Sequence, residues 1–183
     1  MNQELPAFAG FNKIPRLCRD ITITEKIDGT CSLICITEDS QFYTGSKHLW
    51  ITPEKDNHGF SKWAHNNKEE LMKLGKGYHF GEFWGKTIQR RYGLDDNRYS
   101  LFNTFRWNET NIPSCCHIVP VLYNGPWIPG KVEECVEFLR AFGSVAVPGY
   151  DNPEGAVIYH SAAKCYFKKT LKNDEKPKGS QEN

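Results

Sequence analysis

The chain has 183 residues, with 23 Lys and Arg against 22 Asp and Glu, a formal charge of +1 and 39% hydrophobic residues. That length suits one domain, or one domain plus a tail, able to bury its own core, and the composition is that expected of an ordinary soluble protein. No apolar run approaches the roughly 20 residues of a membrane helix, and the opening MNQELPAFAGFNKIPRLCRD has no continuous apolar stretch behind a basic start. The expectation is a cytoplasmic protein with no leader and no membrane partner.

Ile21 and Ile23 alternate with Thr22 and Thr24, which predicts a strand ending near Lys26. Asp28-Gly29 then predicts a tight turn, Cys31–Thr37 a return strand and Gln41–Gly45 a third, so the chain opens as a meander. Phe60–Leu74 reads as a helix with Ser61 as N-cap, stopped by Gly75 and Gly77. Tyr78–Trp84 and the aromatic stretch Tyr99–Trp107 read as strands, followed by His117–Tyr123. Val132, Cys135, Val136, Leu139 and Phe142 form one stripe of a helix over Lys131–Phe142, with Gly143 beyond its end. Ala156–His160 and Cys165–Lys169 are the last strands. Strands outnumber helices, and neither GxGxxG nor a Walker A loop is present, so the fold class is α+β with largely antiparallel sheets. Residues 1–172 are read as the domain and 173–183, polar and containing Pro and Gly, as a disordered tail.

Seven cysteines include no CxxC pair, and Cys115-Cys116-His117 lacks zinc-finger spacing. Buried free thiols in a reducing compartment fit better than a metal site. Basic residues cluster at Lys86, Arg90, Arg91 and Arg98, and again from Lys164 to Lys178. Such stretches in a neutral chain fit either an anionic partner or a solvated face.

Chemistry concentrates in a few places. Glu25-Lys26-Ile27-Asp28-Gly29-Thr30 puts a lysine at a strand end before an Asp-Gly turn, where its amine can enter a cleft. Glu82, in Gly81-Glu82-Phe83-Trp84-Gly85, is an acid inside an apolar strand, and carboxylates are rarely buried without a partner or a task. Glu154 opens another apolar strand in Pro153-Glu154-Gly155-Ala156-Val157-Ile158. Lys168 and Lys169 lie on a third.

The ordered series KxDG, GE, aromatic strand, EG-apolar, then lysines resembles the covalent nucleotidyltransferase superfamily of DNA ligases, RNA ligases and mRNA capping enzymes. It spans Lys26 to Lys169. Gly81–Gly93 further resembles the GEFxGxxIQ segment of the RNA-ligase-2-like branch. The resemblance implies a ligase-type nucleotidyltransferase domain of mostly antiparallel sheets flanked by helices. It also implies ATP-dependent joining of RNA 5′-phosphate and 3′-hydroxyl ends, with a minimal DNA nick ligase or an adenylate-binding module as alternatives.

In that chemistry a lysine amine attacks the α-phosphate of ATP and pyrophosphate leaves, which is covalent catalysis. An ordinary lysine, with a pKa of about 10.4, is almost wholly protonated at neutral pH, so the site must favour the neutral amine. Burial and nearby cations act in that direction; Asp28, Glu82 and Glu154 act against it unless Mg²⁺ or Mn²⁺ neutralises them. By resemblance Lys26 is the nucleophile, Glu82 binds the ribose hydroxyl, and Phe102 stacks on adenine, with Phe105 as the alternative. Glu154 holds a metal, Lys168 contacts the α-phosphate with Lys169 assisting, and Glu25 and Ile27 offer backbone groups to the base. Asp28 and Lys47 complete the nucleotide contacts. Lys86, Arg90 and Arg91 are candidates for gripping RNA, or DNA, ends.

The sequence departs from the pattern in five places. Cys31 stands where DNA ligases carry an arginine, which argues against a standard DNA ligase. Ser46-Lys47 replaces Ser-Arg, a point charge for a bidentate fork. Asn103 stands where an Asp is common. Lys168-Lys169-Thr170 replaces K-x-K, so either Lys169 or Thr170 fills the second position. About a dozen residues follow the last motif, too few for an appended OB-fold.

Overall fold

The computed structural model describes residues 7–175. Among these residues ten strands are divided between two sheets. The strands are β1 (Asp20–Lys26), β2 (Thr30–Ile36), β3 (Phe42–Ser46), β4 (Trp50–Ile51), β5 (Gly77–Gly85), β6 (Asn97–Leu101), β7 (Cys116–Ile118), β8 (Val121–Pro126), β9 (Gly155–His160) and β10 (Cys165–Thr170). Three helices are α1 (Phe60–Asn66), α2 (Lys68–Leu71) and α3 (Lys131–Phe142). The smaller sheet runs β10-β9-β1-β8 and the larger β4-β3-β2-β5-β6-β7. Every pairing is antiparallel except β6 with β7. This is the α+β, largely antiparallel architecture expected. No helix among the described residues is long and apolar enough to cross a membrane.

Side-chain alternation gives each sheet one helix-covered face and one face toward a shared cleft. In β1, Ile21 and Ile23 pack with Ala156 and Ile158 against Cys135 and Val136 of α3. Thr22, Thr24 and Lys26 point the other way, into the cleft. In the larger sheet Ile34, Ile36, Phe83, Tyr99 and Leu101 pack under Phe60, Ala64 and Leu71 of α1 and α2. Tyr78, Phe80 and Glu82 of β5 face the cleft. Burying side chains such as Phe60, Phe83 and Tyr99, all 1% exposed or less, contributes about 2–3 kcal/mol each. That packing leaves the opposite faces of the two sheets to line the cleft, where Thr22, Thr24, Lys26 and Glu82 stand among apolar and aromatic residues such as Phe80, Phe102 and Tyr159.

Several expected elements take another form. The opening is no meander: β1 pairs with β8 and β9, and β2 with β3 and β5. Ile27-Asp28-Gly29 carries the chain from one sheet to the other. The 60–74 helix is broken into α1, α2 and a 3-10 turn at Met72–Leu74. Its cap is not Ser61, which is buried against Thr44; the Asp56 carboxylate accepts the Ser61 and Lys62 N–H groups. The aromatic stretch stops being strand at Leu101, because Asn103 accepts the Arg106 N–H in a local turn. His117–Tyr123 splits into β7 and β8, a second crossing between sheets at Val119-Pro120. On α3, Cys135, Val136 and Leu139 are buried, but Phe142 is 74% exposed and packs on Phe138. All seven cysteines are free, and Cys35, Cys116 and Cys135 are buried. Of the expected tail, residues 176–183 lie outside the described residues; Asp174 is tied back to the Thr170 N–H.

Candidate active site

The cleft between the sheets has a volume of about 720 Å³. Lys26 closes one end. It is the last residue of β1 and pairs with Gly155, the first residue of β9, so the preceding residue, Glu154, reaches its side chain. The Lys26 Nζ lies 2.7 Å from Glu154 Oε2, and the glutamate is only 5% exposed. Gly155 tolerates nothing larger. Its φ is +151°, and a Cβ there would meet the Lys169 carbonyl oxygen at 2.1 Å.

The connector after Lys26 is fastened at each residue. Ile27 is buried with Trp84, Tyr92 and Val119. The Asp28 N–H donates to Tyr92 Oη at 2.8 Å, and its carboxylate lies 3.0 Å from Arg90 Nε, an ion pair whose N–H is angled away from a linear hydrogen bond. The Gly29 N–H donates to Glu82 Oε1 at 3.0 Å. A Cβ at Gly29 would meet the Phe83 carbonyl oxygen at 2.4 Å and Trp84 Cβ at 2.7 Å, so the Asp-Gly pair is required by close approach to β5, not by a hairpin.

Glu82 stands on the cleft face of β5 between Cys31 of β2 and Ser100 of β6. Burial raises its carboxyl pKa from 4.5 to about 7; Glu154 and Asp28 add to the rise, while Lys26 and the Gly29 N–H oppose it. The Cys31 thiol is pushed up by burial and by Glu82, and Lys47, just beyond β3, pulls it partly back. Lys47 is thus close to this part of the cleft, though its side chain is exposed.

Glu25 has a separate task. It is 1% exposed and accepts hydrogen bonds from Ser144 Oγ (2.6 Å) and from the N–H groups of Val145 (2.8 Å) and Ala146 (2.9 Å). Burial raises its pKa and these three donors lower it. Its carboxylate locks the loop after α3 against β1, leaving only its backbone near the cleft.

Phe102 and Phe105 both line the cleft. Phe102 packs beside Ile27 and Val119; Phe105 is 69% exposed and meets Tyr159 edge-on. On β10 the register separates the two lysines. Lys168 pairs with Val157 and shares the face of Lys26, although it is exposed at the edge strand and outside the cleft lining. Lys169 pairs with Ala156 on the opposite face, and its Nζ lies 3.2 Å from Asp174. Thr170, in the Lys26–Gly155 row, takes the cleft-facing position two residues after Lys168. Lys169 is therefore directed away from the site, because strand alternation admits only every second residue.

The basic segment also divides. Lys86 and Arg91 are exposed, whereas Arg90 turns inward to Asp28 and donates from Nη1 to the Asn152 carbonyl at 3.1 Å. The backbone causes this. Gln89, Arg91 and Tyr92 all have positive φ, at 48°, 59° and 52°, a conformation that costs on the order of 1 kcal/mol per residue. Tyr92 is a site residue that the motifs do not single out; its ring is buried against Trp84 and Tyr150, and burial pushes its hydroxyl pKa up. The sequence signal that points to it is a tyrosine directly before Gly93 in an otherwise charged loop.

The carboxylates suit a divalent ion that is completed by substrate. Among the described residues no three His, Cys, Asp or Glu side chains form a ready cage. Mg²⁺, however, commonly uses one or two carboxylates together with phosphate oxygens, and buried Glu154 beside Lys26 is such a donor.

Two sheets facing across a cleft, with a lysine at the crossover and a glutamate from each sheet near it, define a ligase-type nucleotidyltransferase domain. A family model described as RNA ligase matches residues 19–173, and the chain belongs to that family. Solved structures of Naegleria gruberi RNA ligase share the fold. One mutant with ATP and Mn has a TM-score of 0.60 at 18% identity, covering 85% of this chain and 51% of that one. Another, with AMP and Mn, has a TM-score of 0.58 at 17% identity, covering 84% and 50%. This chain thus spans about half the length of those solved chains. A search of curated proteins returns no match.

Proposed function

We propose that this chain is the catalytic unit of an ATP-dependent RNA ligase, with Lys26 as the residue that carries AMP. The observation that carries the reading is the Lys26–Glu154 contact at 2.7 Å at the end of a cleft of about 720 Å³. The family match and the ATP- and Mn-containing relatives support it.

The Glu154 carboxylate holds the Lys26 amine in place; with a divalent ion on that carboxylate and the ATP phosphates, it would lose its preference for the charged amine, whose proton then leaves to solvent. Once neutral, the Nζ lone pair forms an N–P bond to the α-phosphorus of ATP, the bond to the β-phosphate bridging oxygen breaks, and pyrophosphate leaves. A 5′-phosphate oxygen of RNA then displaces Lys26 from the adenylate. Finally the 3′-hydroxyl displaces AMP to seal the strand. Glu82, on the cleft face of β5, binds a ribose hydroxyl in this reading. Phe102 supplies an apolar surface for adenine. Lys168, which shares the face of Lys26 on β10, contacts the α-phosphate in this reading. Glu154, with the substrate phosphates, would hold Mg²⁺ or Mn²⁺, which supplies charge neutralisation for the leaving pyrophosphate.

Incubation with ATP labelled at the α-phosphate tests the reading. The wild-type chain should become covalently labelled and Lys26→Ala should not. Labelled protein offered a 5′-phosphorylated RNA and a 3′-hydroxyl RNA should pass its label on and join them. No covalent label from ATP would end the proposal.

A further inference from the structure

We infer that Arg90 and Tyr92 are positioning residues for the Lys26–Glu154 pair, and that Arg90 serves the adenylation step rather than contacting RNA. The inference rests on the ligase reading above and adds a role to it.

The geometry is symmetrical about the pair. Arg90 meets Asp28, two residues after Lys26, through Nε at 3.0 Å. It also meets the Asn152 carbonyl, two residues before Glu154, through Nη1 at 3.1 Å. One guanidinium therefore ties the segment carrying the nucleophile to the segment carrying its carboxylate. Tyr92 fixes the same connector from the other side, accepting the Asp28 N–H at 2.8 Å. Tyr150 completes the frame, its hydroxyl donating to the Arg90 carbonyl at 3.4 Å.

The loop that presents these groups is bent sharply. Gln89, Arg91, Tyr92 and Gly93 all have positive φ within five residues, and the Tyr92 N–H folds back onto the Arg90 carbonyl at 2.7 Å. A backbone so unfavourable persists only where its surroundings over-determine it, and such strain clusters where a site needs pre-organised groups. Here the surroundings are the Trp84–Tyr92–Tyr150 aromatic stack, with centroid separations of 4.8 and 4.7 Å. A linear, surface-exposed loop would leave Arg90 in water, as Arg91 is. The bend instead places its head group between Asp28 and the Asn152 carbonyl.

The test measures single-turnover labelling from ATP in Arg90→Ala, Arg90→Lys, Tyr92→Phe and Arg140→Ala chains, with ATP and RNA affinities alongside. Small misplacement of a reacting group costs on the order of 10- to 100-fold in rate. Arg90→Ala and Tyr92→Phe should slow labelling by that factor at saturating ATP, with ATP affinity within about threefold. Arg90→Lys, keeping the charge but reaching only one of the two segments, should recover part of the rate. Arg140→Ala, at an exposed position of α3, should label at the wild-type rate. Equal labelling rates in wild type and both variants overturn the inference, as does an Arg90→Ala chain that loses RNA affinity alone. Hydrogen exchange gives a reading independent of activity. Peptides covering residues 26–30 and 152–156 should exchange faster in Arg90→Ala and Tyr92→Phe than in wild type and Arg140→Ala. Unchanged exchange in both also overturns it. A wild-type chain that takes no label contradicts the ligase reading instead, while exchange still decides whether the clamp exists.

Discussion

Lys26 and Gly155 are cross-strand partners at the ends of β1 and β9, and this one register match sets the Lys26–Glu154 contact. A slip of one residue would turn every β1 side chain to the wrong face, exposing Ile21 and Ile23 and burying the amine against α3. The same packing that fixes the core therefore fixes where the Lys26 amine stands.

Lys26→Arg should retain the fold and lose covalent labelling. Arginine keeps a cation for Glu154, but guanidinium stays protonated at any working pH and offers no lone pair. Labelling below detection, with an unchanged denaturation midpoint, is the expected result of α-labelled ATP incubation and urea titration.

Gly29→Ala should cost about 1–3 kcal/mol, since its methyl meets backbone and strand atoms rather than a flexible side chain. Denaturant unfolding reads the loss. Because the Gly29 N–H also holds Glu82, labelling should fall in the same variant even under conditions where it stays folded.

Glu25→Ala should destabilise the chain by about 2–3 kcal/mol, since it leaves Ser144 and two backbone N–H groups without their acceptor. Thermal or urea unfolding measures it. Glu25→Gln should recover only part, because an amide offers one acceptor oxygen where the carboxylate offers two.

Glu82 should make stability fall between about pH 4.5 and 7. Its folded pKa of about 7 lies above the ordinary 4.5, so the folded chain holds the proton more tightly. The contribution is full below 4.5 and is lost as pH rises through 7, for a change of at most about 3 kcal/mol. Glu25, also raised, adds a fall of the same sign. Urea midpoints from pH 4 to 8 should therefore drop less steeply in Glu82→Gln than in wild type. Parallel curves would contradict the buried-acid account of Glu82.

Charge reversal at Lys86 and Arg91, both exposed, should weaken RNA binding. For every phosphate that is no longer neutralised, the slope of log affinity against log salt should fall by about one. Binding measured across a salt series decides it, and an unchanged slope would remove this segment from the RNA-binding surface.

Much of the architecture could be read along the chain because its signals are local. Alternation in Ile21–Thr24, the helical stripe of α3 and the buried acid in Gly81–Gly85 each depend on neighbours within a few residues. The ordered motifs named the chemistry for a similar reason: a lysine, two glutamates and later lysines in fixed order carry chemical type in their identities alone. The partition of strands between sheets was not legible. Asp28-Gly29 looks like a hairpin turn whichever sheet β2 enters, and only the long-range partners β5 and β9 decide that it is a crossing.

The sequence by itself therefore singled out Lys26 as the candidate to carry AMP, with Glu82 and Glu154 as the acids near it. The tertiary structure alone decided that Lys168 shares the face of Lys26 while Lys169 does not, because that follows from strand register. It alone decided that Arg90 is drawn inward while Arg91 remains in water. Adjacent arginines are alike in composition and charge; a backbone bent through positive φ at Gln89, Arg91 and Tyr92 and anchored on a buried aromatic stack makes them different.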